Sequence, residues 1–160
     1  MAKLLLLIFV LLSNAYAKEL NIGDTAPNYF GSDINKQKIS LGNYQDKVII
    51  ISFWASWCDS CIKELNNLQS IQDDFGTDKL AVIAINFKEN KKKFKSIQAQ
   101  LSHLNIILTQ DKMGKVANKF SINTIPLLFI IGKDGTLKYT SSDYGKDNMQ
   151  KIINEVNKAL

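Results

Sequence analysis

Apolar residues along the chain are grouped into short runs separated by polar segments. Val48–Trp54 and Leu80–Ile85 are rich in β-branched residues and have the length of strands buried on both faces of a parallel sheet. A third run, Leu127–Ile131, is followed by a turn at Lys133–Gly135 and by the segment Thr136–Thr140, which together predict a β-hairpin. The pattern therefore predicts a sheet that contains both parallel and antiparallel strands.

Helical spacing of apolar residues marks the segments between and after these strands. One helix is predicted to begin at a pair of cysteines and end near Gly76, a second to span Asn90–Leu104, and a third to begin near Lys146. Residues 18–36 are predicted to form an irregular lead-in and residues 38–41 a short edge strand. Residues 106–108 are predicted to form a short extended piece, and residues 112–120 a short helix. This order indicates one α/β domain without internal repeats.

The N-terminus has the pattern of a secretory signal peptide. Lys3 precedes nine apolar residues, Leu4–Leu12, and the small residues up to Ala17 form a cleavage site. Nine apolar residues are too few for a bilayer core of about 30 Å, which needs roughly 20 residues in a helix. We expect cleavage after residues 1–17, which leaves residues 18–160 as one periplasmic or otherwise extracytoplasmic domain. A retained N-terminal anchor is the alternative.

Charge and composition exclude some partners. The chain has a formal net charge of +5, and all 20 of its basic residues are lysines. Arginine is the residue best suited to bidentate contacts with phosphates and base edges, so we expect no nucleic-acid partner. The one basic run, Lys88–Lys95, is interpreted as the solvated start of a helix, with a docking patch for an acidic partner or lipid surface as the alternative.

Cys58 and Cys61 are the only cysteines, and they lie between a predicted strand and a predicted helix. At a helix N-terminus the free backbone N–H groups and the helix dipole stabilise a thiolate, so the pair suits thiol–disulfide exchange. A structural disulfide is the alternative, although such a small loop constrains the unfolded chain little. Zinc needs four ligands, or three and water, and the single His103 cannot complete that set; we expect no metal.

The motifs around these cysteines resemble those of the thioredoxin superfamily. They are the run Phe53–Cys61, the later Ile125-Pro126 before an apolar strand, the Lys133–Gly135 turn, and a lead-in of the AhpC/TSA-redoxin type at Gly23–Pro27. The likeness covers residues 18–160 and is greatest to the exported TlpA/ResA-like branch. It implies a thioredoxin fold, with a central mixed β-sheet flanked by helices, an N-terminal extension and an insertion between the central strands. It also implies an extracytoplasmic thiol–disulfide oxidoreductase without a cofactor.

The resemblance assigns roles to several residues. Cys58, expected to be exposed, would be the attacking thiolate, and Cys61, more shielded, would be the resolving thiol. Trp57 would lie beside the pair at the substrate site, with an ordinary core position as the alternative. Pro126 matches the family's cis-proline, and Ile125 before it would present its backbone N–H and C=O to a substrate peptide.

Proton transfer is assigned to Glu64. Thioredoxins place a buried aspartate on the strand where this chain has Ser52, which cannot act as a base at neutral pH. The TlpA/ResA-like branch carries a glutamate at the position of Glu64, three residues after Cys61, and residues i and i+3 share a helix face. A solvated helix glutamate is the alternative. Asn66 stands where relatives usually carry the proline that kinks this helix.

The residues between the cysteines, Asp59 and Ser60, are expected to tune the couple. The negative charge of Asp59 disfavours the Cys58 thiolate, which predicts a reducing, thioredoxin-like couple. The resemblance implies protein disulfides as substrates, with apocytochrome c cysteines as one client, and a membrane electron donor of the DsbD/CcdA type. We expect a monomer.

Other functions stay open. A disulfide-forming or isomerising Dsb-like protein is the principal alternative. A peroxiredoxin shares the lead-in and the fold, but it uses an arginine to polarise the peroxide, and this chain has none. A non-catalytic binding domain would not require the intact cysteine pair and Pro126.

Overall fold

The computed structural model describes residues 19–143 and 145–160, and the predicted signal peptide, residues 1–17, lies outside them. No helix in the described part of the chain is long and apolar enough to cross a membrane. The elements are β1 (Tyr29–Ser32), β2 (Lys38–Ser40), β3 (Val48–Trp54), α1 (Asp59–Phe75), β4 (Leu80–Phe87), α2 (Lys91–Gln100), β5 (Ile107–Asp111), α3 (Lys115–Lys119), β6 (Leu127–Ile131), β7 (Leu137–Ser141) and α4 (Lys146–Ala159). A short 3-10 helix, Leu41–Tyr44, follows β2.

Strand β3 lies at the centre of a seven-stranded sheet of order β2-β1-β5-β4-β3-β6-β7. It pairs in parallel with β4 and antiparallel with β6, which confirms the predicted mixed sheet. All seven residues of β3 are buried. A strand covered on both faces requires a continuous apolar, β-branched sequence, which the run Val48–Trp54 supplies. The cysteine motif therefore follows the most deeply buried strand.

The two faces of β3 pack into different halves of the core. Ile50 and Trp54 belong to a cluster that also contains Leu65 of α1. Phe53 belongs to the cluster on the opposite face, where its ring packs edge-on against that of Phe129 with centroids 6.2 Å apart. Such an aromatic pair contributes about 0.5–1.5 kcal/mol beyond its buried area. Residues 55–58, here called the active loop, connect β3 to α1. Packing on both faces of β3 fixes the strand end from which this loop begins.

Helix α1 is held against the sheet by a buried amide side chain. Gln72, 2% exposed, donates from Nε2 to the carbonyl of Asn105 (2.6 Å) and accepts at Oε1 from the backbone N–H of Val82 (2.8 Å). Both bonds satisfy backbone groups that would otherwise be costly to bury. They also fix the rotation of the helix that begins at the cysteine pair.

The prediction of a wholly irregular lead-in at residues 18–36 is wrong. Strand β1 lies within it and pairs antiparallel with β2 and β5. Gly31 in this strand has φ +96°, and a Cβ there would lie 2.8 Å from Oγ1 of Thr109. The strand therefore needs glycine for a close approach, while Gly31-Ser32 in the sequence has the appearance of a turn.

The insertion between the central strands is present, with shifted boundaries. Helix α2 and strand β5 lie between β4 and β6 in the chain. Helix α2 ends four residues before the predicted Leu104, because Leu101–Leu104 forms a turn in which the Leu104 N–H donates to the Leu101 carbonyl. Strand β5 extends three residues beyond the predicted Leu108 to Asp111, whose buried carboxylate accepts from the Ala117 N–H (2.8 Å) at the start of α3.

Candidate active site

The Cys-x-x-Cys motif lies where β3 gives way to α1. Cys58 is the N-cap of α1, and its Sγ accepts a hydrogen bond from the backbone N–H of Cys61 (3.3 Å). The hydroxyl of Ser60 lies 3.5 Å from the same sulfur. Unpaired N–H groups and the helix dipole favour a thiolate at this position. The local structure therefore provides the stabilisation of a Cys58 thiolate that the sequence predicted.

Cys58 and Cys61 form a disulfide, with their Cα atoms 5.2 Å apart. Cys61 is fully buried and Cys58 is 8% exposed. The prediction that Cys58 is exposed is wrong for this oxidised state, because the residue packs in the core cluster that contains Trp54 and Leu65. Cys58 is still the more accessible of the two cysteines, so an incoming sulfur meets it first.

Trp57 lies on the surface beside the disulfide. Its relative exposure is 66%, against 0% for Trp54 three residues earlier. The alternative of an ordinary core residue is therefore wrong. A large exposed aromatic ring next to a reactive sulfur suits contact with an incoming polypeptide, and that role stays a prediction.

The Ile125–Pro126 peptide bond is cis, as the resemblance implied. Leu127, the next residue, begins β6 and pairs with Phe53 near the end of β3. Pro126 thus lies at the same edge of the sheet as the loop that carries Cys58. Ile125 and Pro126 are both partly exposed, and their contact with substrate stays a prediction.

Glu64 lies on α1 one turn after Cys61 and is 1% exposed. Its Oε2 accepts a 2.8 Å hydrogen bond from the Ser52 hydroxyl on β3. Burial raises the pKa of Glu64 above its ordinary value of 4.5, and the Ser52 hydrogen bond offsets only part of that increase. The alternative of a solvated helix glutamate is wrong. A buried carboxyl with a raised pKa is a candidate general acid–base group.

The first turn of α1 carries the charge that the sequence analysis singled out. Asp59 is exposed and is the first residue of the helix, directly after Cys58. Helix α1 continues without interruption through Asn66, whose side chain donates to the carbonyl of Ile62 (2.9 Å). An asparagine is therefore accommodated where relatives carry proline.

A residue that the sequence analysis did not single out, Glu89, contacts the active loop. Its Oε1 accepts from the Ser56 hydroxyl (2.6 Å) and its Oε2 accepts from the Ser56 backbone N–H (2.8 Å). Asn86 at the end of β4 donates to Oε2 as well (2.7 Å). In the sequence, Glu89 lies within the basic run. One signal could have indicated its contact with Ser56: the two residues follow adjacent parallel strands, whose carboxyl ends meet at one edge of a sheet.

The other candidates lie on the surface. His103 is exposed and its ring nitrogens lie near the Gln100 carbonyl (3.1 Å) and the Asn66 side chain (3.4 Å). Lys91–Lys93 and Lys95 are exposed, in agreement with a solvated helix start. Within residues 19–143 and 145–160, no group of three or more His, Cys, Asp or Glu side chains could hold a metal ion.

The fold and the disulfide at the start of α1 define a thioredoxin-fold thiol–disulfide oxidoreductase. Residues 22–140 match the model of the AhpC/TSA family, and the chain belongs to that family.

Similar proteins agree with this class. Thiol-disulfide oxidoreductase ResA of Bacillus cereus (strain ATCC 10987 / NRS 248) is 24% identical over 151 residues, which cover 92% of this chain and 87% of the relative. Thioredoxin-like protein YneN of Bacillus subtilis (strain 168) is 30% identical over 125 residues, which cover 76% of this chain and 72% of the relative. The TlpA/ResA-like resemblance is thereby confirmed.

A solved structure supports the fold. A DsbE-type thiol:disulfide interchange protein of Chlorobium tepidum superposes with a TM-score of 0.79 at 19% identity, covering 88% of this chain and 99% of that one. At this identity the likeness concerns the architecture alone, and it confirms the predicted thioredoxin fold.

Proposed function

We propose that this protein is an extracytoplasmic reductase of protein disulfides that works through the Cys58–Cys61 couple. The observation that carries the proposal is the placement of Cys58 at the N-cap of α1, bonded to a buried Cys61 one turn further in. This arrangement favours a thiolate on the outer sulfur and a protected thiol on the inner one.

The first step joins the substrate to the protein as a mixed disulfide. In the reduced protein, the Cys58 thiolate attacks one sulfur of the substrate disulfide. A Cys58–substrate disulfide bond forms, the substrate's own bond breaks, and its other sulfur leaves as a thiolate. Trp57 and the backbone of Ile125 contact the polypeptide, with Pro126 facing the sulfurs.

The second step releases the reduced substrate. The Cys61 thiol gives its proton to the carboxylate of Glu64 and attacks the sulfur of Cys58. The Cys58–Cys61 disulfide forms, the second substrate sulfur leaves, and the substrate has gained two electrons. Two observations support this assignment: burial raises the pKa of Glu64, and the hydrogen bond from Ser52 holds its carboxyl against β3.

The couple is assigned a reducing direction from the charge of the first helical turn. Strong oxidants of this fold depend on an unusually stabilised thiolate. Asp59 next to Cys58 opposes that stabilisation with its negative charge. Ser60, whose hydroxyl lies 3.5 Å from the Cys58 sulfur, is the second tuning position.

The N-terminal sequence and the relatives support the proposed location and substrates. Residues 1–17 form the proposed signal peptide, and residues 18–160 the exported, monomeric domain. The similarity to the thiol-disulfide oxidoreductase ResA supports protein disulfides as substrates. The haem-attachment cysteines of apocytochromes c are the client that the family resemblance implies. A membrane donor of the DsbD/CcdA type restores the dithiol. The mass of the protein recovered after expression tests export, since cleavage leaves Lys18 as the first residue.

Trapping with Cys61→Ser tests the reductase itself. The variant lacks the resolving thiol, so it retains its substrate as a mixed disulfide on Cys58, while Cys58→Ser retains none. In the intact protein, equilibration with glutathione gives a potential near that of thioredoxin, about −270 mV. A value near the oxidising end, about −120 mV, contradicts the reducing direction and favours the Dsb-like alternative.

The remaining alternatives make different predictions. A peroxiredoxin consumes hydrogen peroxide through its thiolate, and the absence of arginine from the sequence argues against it. A non-catalytic binding domain reduces no insulin in the presence of dithiothreitol. Insulin reduction that depends on both cysteines excludes the binding domain.

A further inference from the structure

Glu89 connects the insertion to the loop that carries the reactive cysteine. Both of its carboxylate oxygens bond to one residue of that loop, Ser56, through the hydroxyl (2.6 Å) and the backbone N–H (2.8 Å). Ser56 is two residues before Cys58 and one before the exposed Trp57. The side chain therefore acts on the segment that presents both residues to a substrate.

Glu89 is itself anchored from three directions. Asn86 donates to its Oε2 (2.7 Å), and Asn86 is the register partner of Trp54 at the end of β3. Gln110 of β5 donates to its backbone carbonyl (2.9 Å). The next residue, Asn90, caps α2 by accepting from the Lys93 N–H (2.9 Å). We call the Glu89 carboxylate, with its bonds from Ser56 and Asn86, the clamp. It joins β4, α2 and β5 to the active loop.

The clamp is charge-assisted. Partial burial opposes ionisation of Glu89, but the hydrogen bonds from Ser56 and Asn86, with the nearby charge of Lys93, outweigh it and lower the pKa of the carboxyl. Hydrogen bonds to an ionised acceptor are about twice as strong as neutral ones. Two of the three bonds on this carboxylate come from Ser56, so they restrict the loop directly before Trp57 and Cys58.

We propose that Glu89 is a positioning residue for the redox pair, which holds Ser56 and thereby sets how Trp57 and Cys58 meet a substrate. The assignment rests on Cys58 being the attacking sulfur. Alanine at position 89 removes both acceptor oxygens, whereas glutamine would keep the three contacts, since its oxygen can accept from the Ser56 N–H and from Asn86 while its amide group donates to the Ser56 hydroxyl. In the alanine variant the loop is released on one side while α1 keeps its own contacts.

Reduced Glu89→Ala is compared with wild type and with Glu155→Ala, a matched change on α4 that removes the ion pair with Lys158. Attack on insulin falls about tenfold, within the hundredfold that a misplaced reacting group can cost. Attack on glutathione disulfide, which needs no extended contact surface, changes by less than about threefold because only thiolate basicity is altered. The pH midpoint of Cys58 alkylation moves down, since a negative charge near the sulfur is removed.

A double-mutant cycle with Ser56→Ala decides whether Glu89 acts through Ser56. Ser56→Ala removes the hydroxyl bond and keeps the charge, and Ser56→Thr, which keeps both donors, restores the insulin rate. The double variant is no slower than Glu89→Ala alone, since the two changes interrupt one contact. Additive losses, or equal losses with insulin and glutathione disulfide, overturn the proposal. If Glu89→Ala does not fold, a wild-type insulin rate in Ser56→Ala overturns it.

The outcome is separable from the proposed function. If no variant, wild type included, reduces insulin, the reductase proposal fails. The shift of the Cys58 alkylation midpoint in Glu89→Ala, absent in Glu155→Ala, then still tests whether the clamp acts on the sulfur, and an unchanged midpoint overturns it.

Discussion

The hydroxyl of Ser52 on β3 donates a 2.8 Å hydrogen bond to Oε2 of Glu64 on α1. The strand position that holds an aspartate in thioredoxin thus holds a hydrogen-bond donor in this chain, and the acid is supplied from the helix. Both residues are buried, at 0% and 1% exposure. The carboxyl is fixed between α1 and β3.

Glu64→Gln separates proton transfer from packing. Glutamine keeps an acceptor for Ser52 but takes no proton from Cys61. The resolving step should slow by at least about a hundredfold, the low end of what general acid–base catalysis contributes. Rapid-quench measurement of the mixed disulfide gives the rate, and the pKa of Cys58 is read from the pH profile of alkylation. An unchanged pKa and an unchanged resolving rate would exclude Glu64 from the reaction.

The same variant has a pH signature in the oxidised protein. The pKa of Glu64 is raised on folding, so as pH rises through the ordinary value of 4.5 the unfolded chain loses its proton before the folded chain does. The ionisation of Glu64 therefore lowers the free energy of unfolding by an amount that grows with pH until the raised pKa is passed, and that then stays constant. Glu64→Gln should therefore gain thermal stability relative to wild type as pH rises through about 4.5 and above, as measured by calorimetry. A stability difference that does not change with pH is the contrary result, and Glu155→Gln is the control.

Ser52→Ala removes the donor and leaves a buried acceptor without it. A buried polar group left unsatisfied costs about 1–3 kcal/mol, so urea unfolding of the oxidised protein should show a loss of that size. Because the hydrogen bond lowers the pKa of Glu64, its removal also raises that pKa further. Ser70→Ala, an exposed position on the same helix, serves as the control. Equal losses in the two variants would argue against the pair.

Asp59→Asn removes the negative charge next to Cys58. The thiolate becomes easier to form, so the alkylation midpoint moves to lower pH and the couple becomes more oxidising. The matched change Asp73→Asn, exposed near the end of α1, should leave the potential unaltered. A potential that does not move in Asp59→Asn, measured against glutathione, would remove Asp59 from the tuning residues.

Trp57→Ala tests the exposed ring at the substrate surface. With 66% exposure the side chain contributes little to folding. The KM for a protein disulfide should rise by about tenfold, which corresponds to about 1.4 kcal/mol of lost contact, while glutathione disulfide reacts as before. Met113→Ala, at 72% exposure on the surface, is the control for loss of an exposed apolar side chain. Equal kinetics for Trp57→Ala and Met113→Ala would contradict the prediction.

The sequence was sufficient for elements whose pattern is local. The run Val48–Trp54 could only be a doubly buried strand, and the cysteines at its end placed the site. Glu64 was singled out by the family resemblance, which its spacing of three residues from Cys61 supported. Its burial was not predicted, because burial depends on what packs over the helix. The match of Pro126 to a cis-proline came from the family pattern and not from any local signal.

The features that the sequence analysis missed depend on contacts between distant segments. Strand β1 needs Gly31 to approach Thr109, a residue 78 positions later, and glycine by itself indicates a turn. Glu89 stands among lysines in the sequence, yet its carboxylate turns inward to Ser56. Side chains that cross between strand ends have no periodic signal in the chain.

The attachment of α1 through Gln72 has a practical consequence for engineering this scaffold. Because that amide binds backbone groups on both sides, at Asn105 and Val82, the helix keeps its orientation independently of what lies in its first turn. The dipeptide Asp59–Ser60 can therefore be exchanged as a module, so that a graded set of reduction potentials could be built on one unchanged frame.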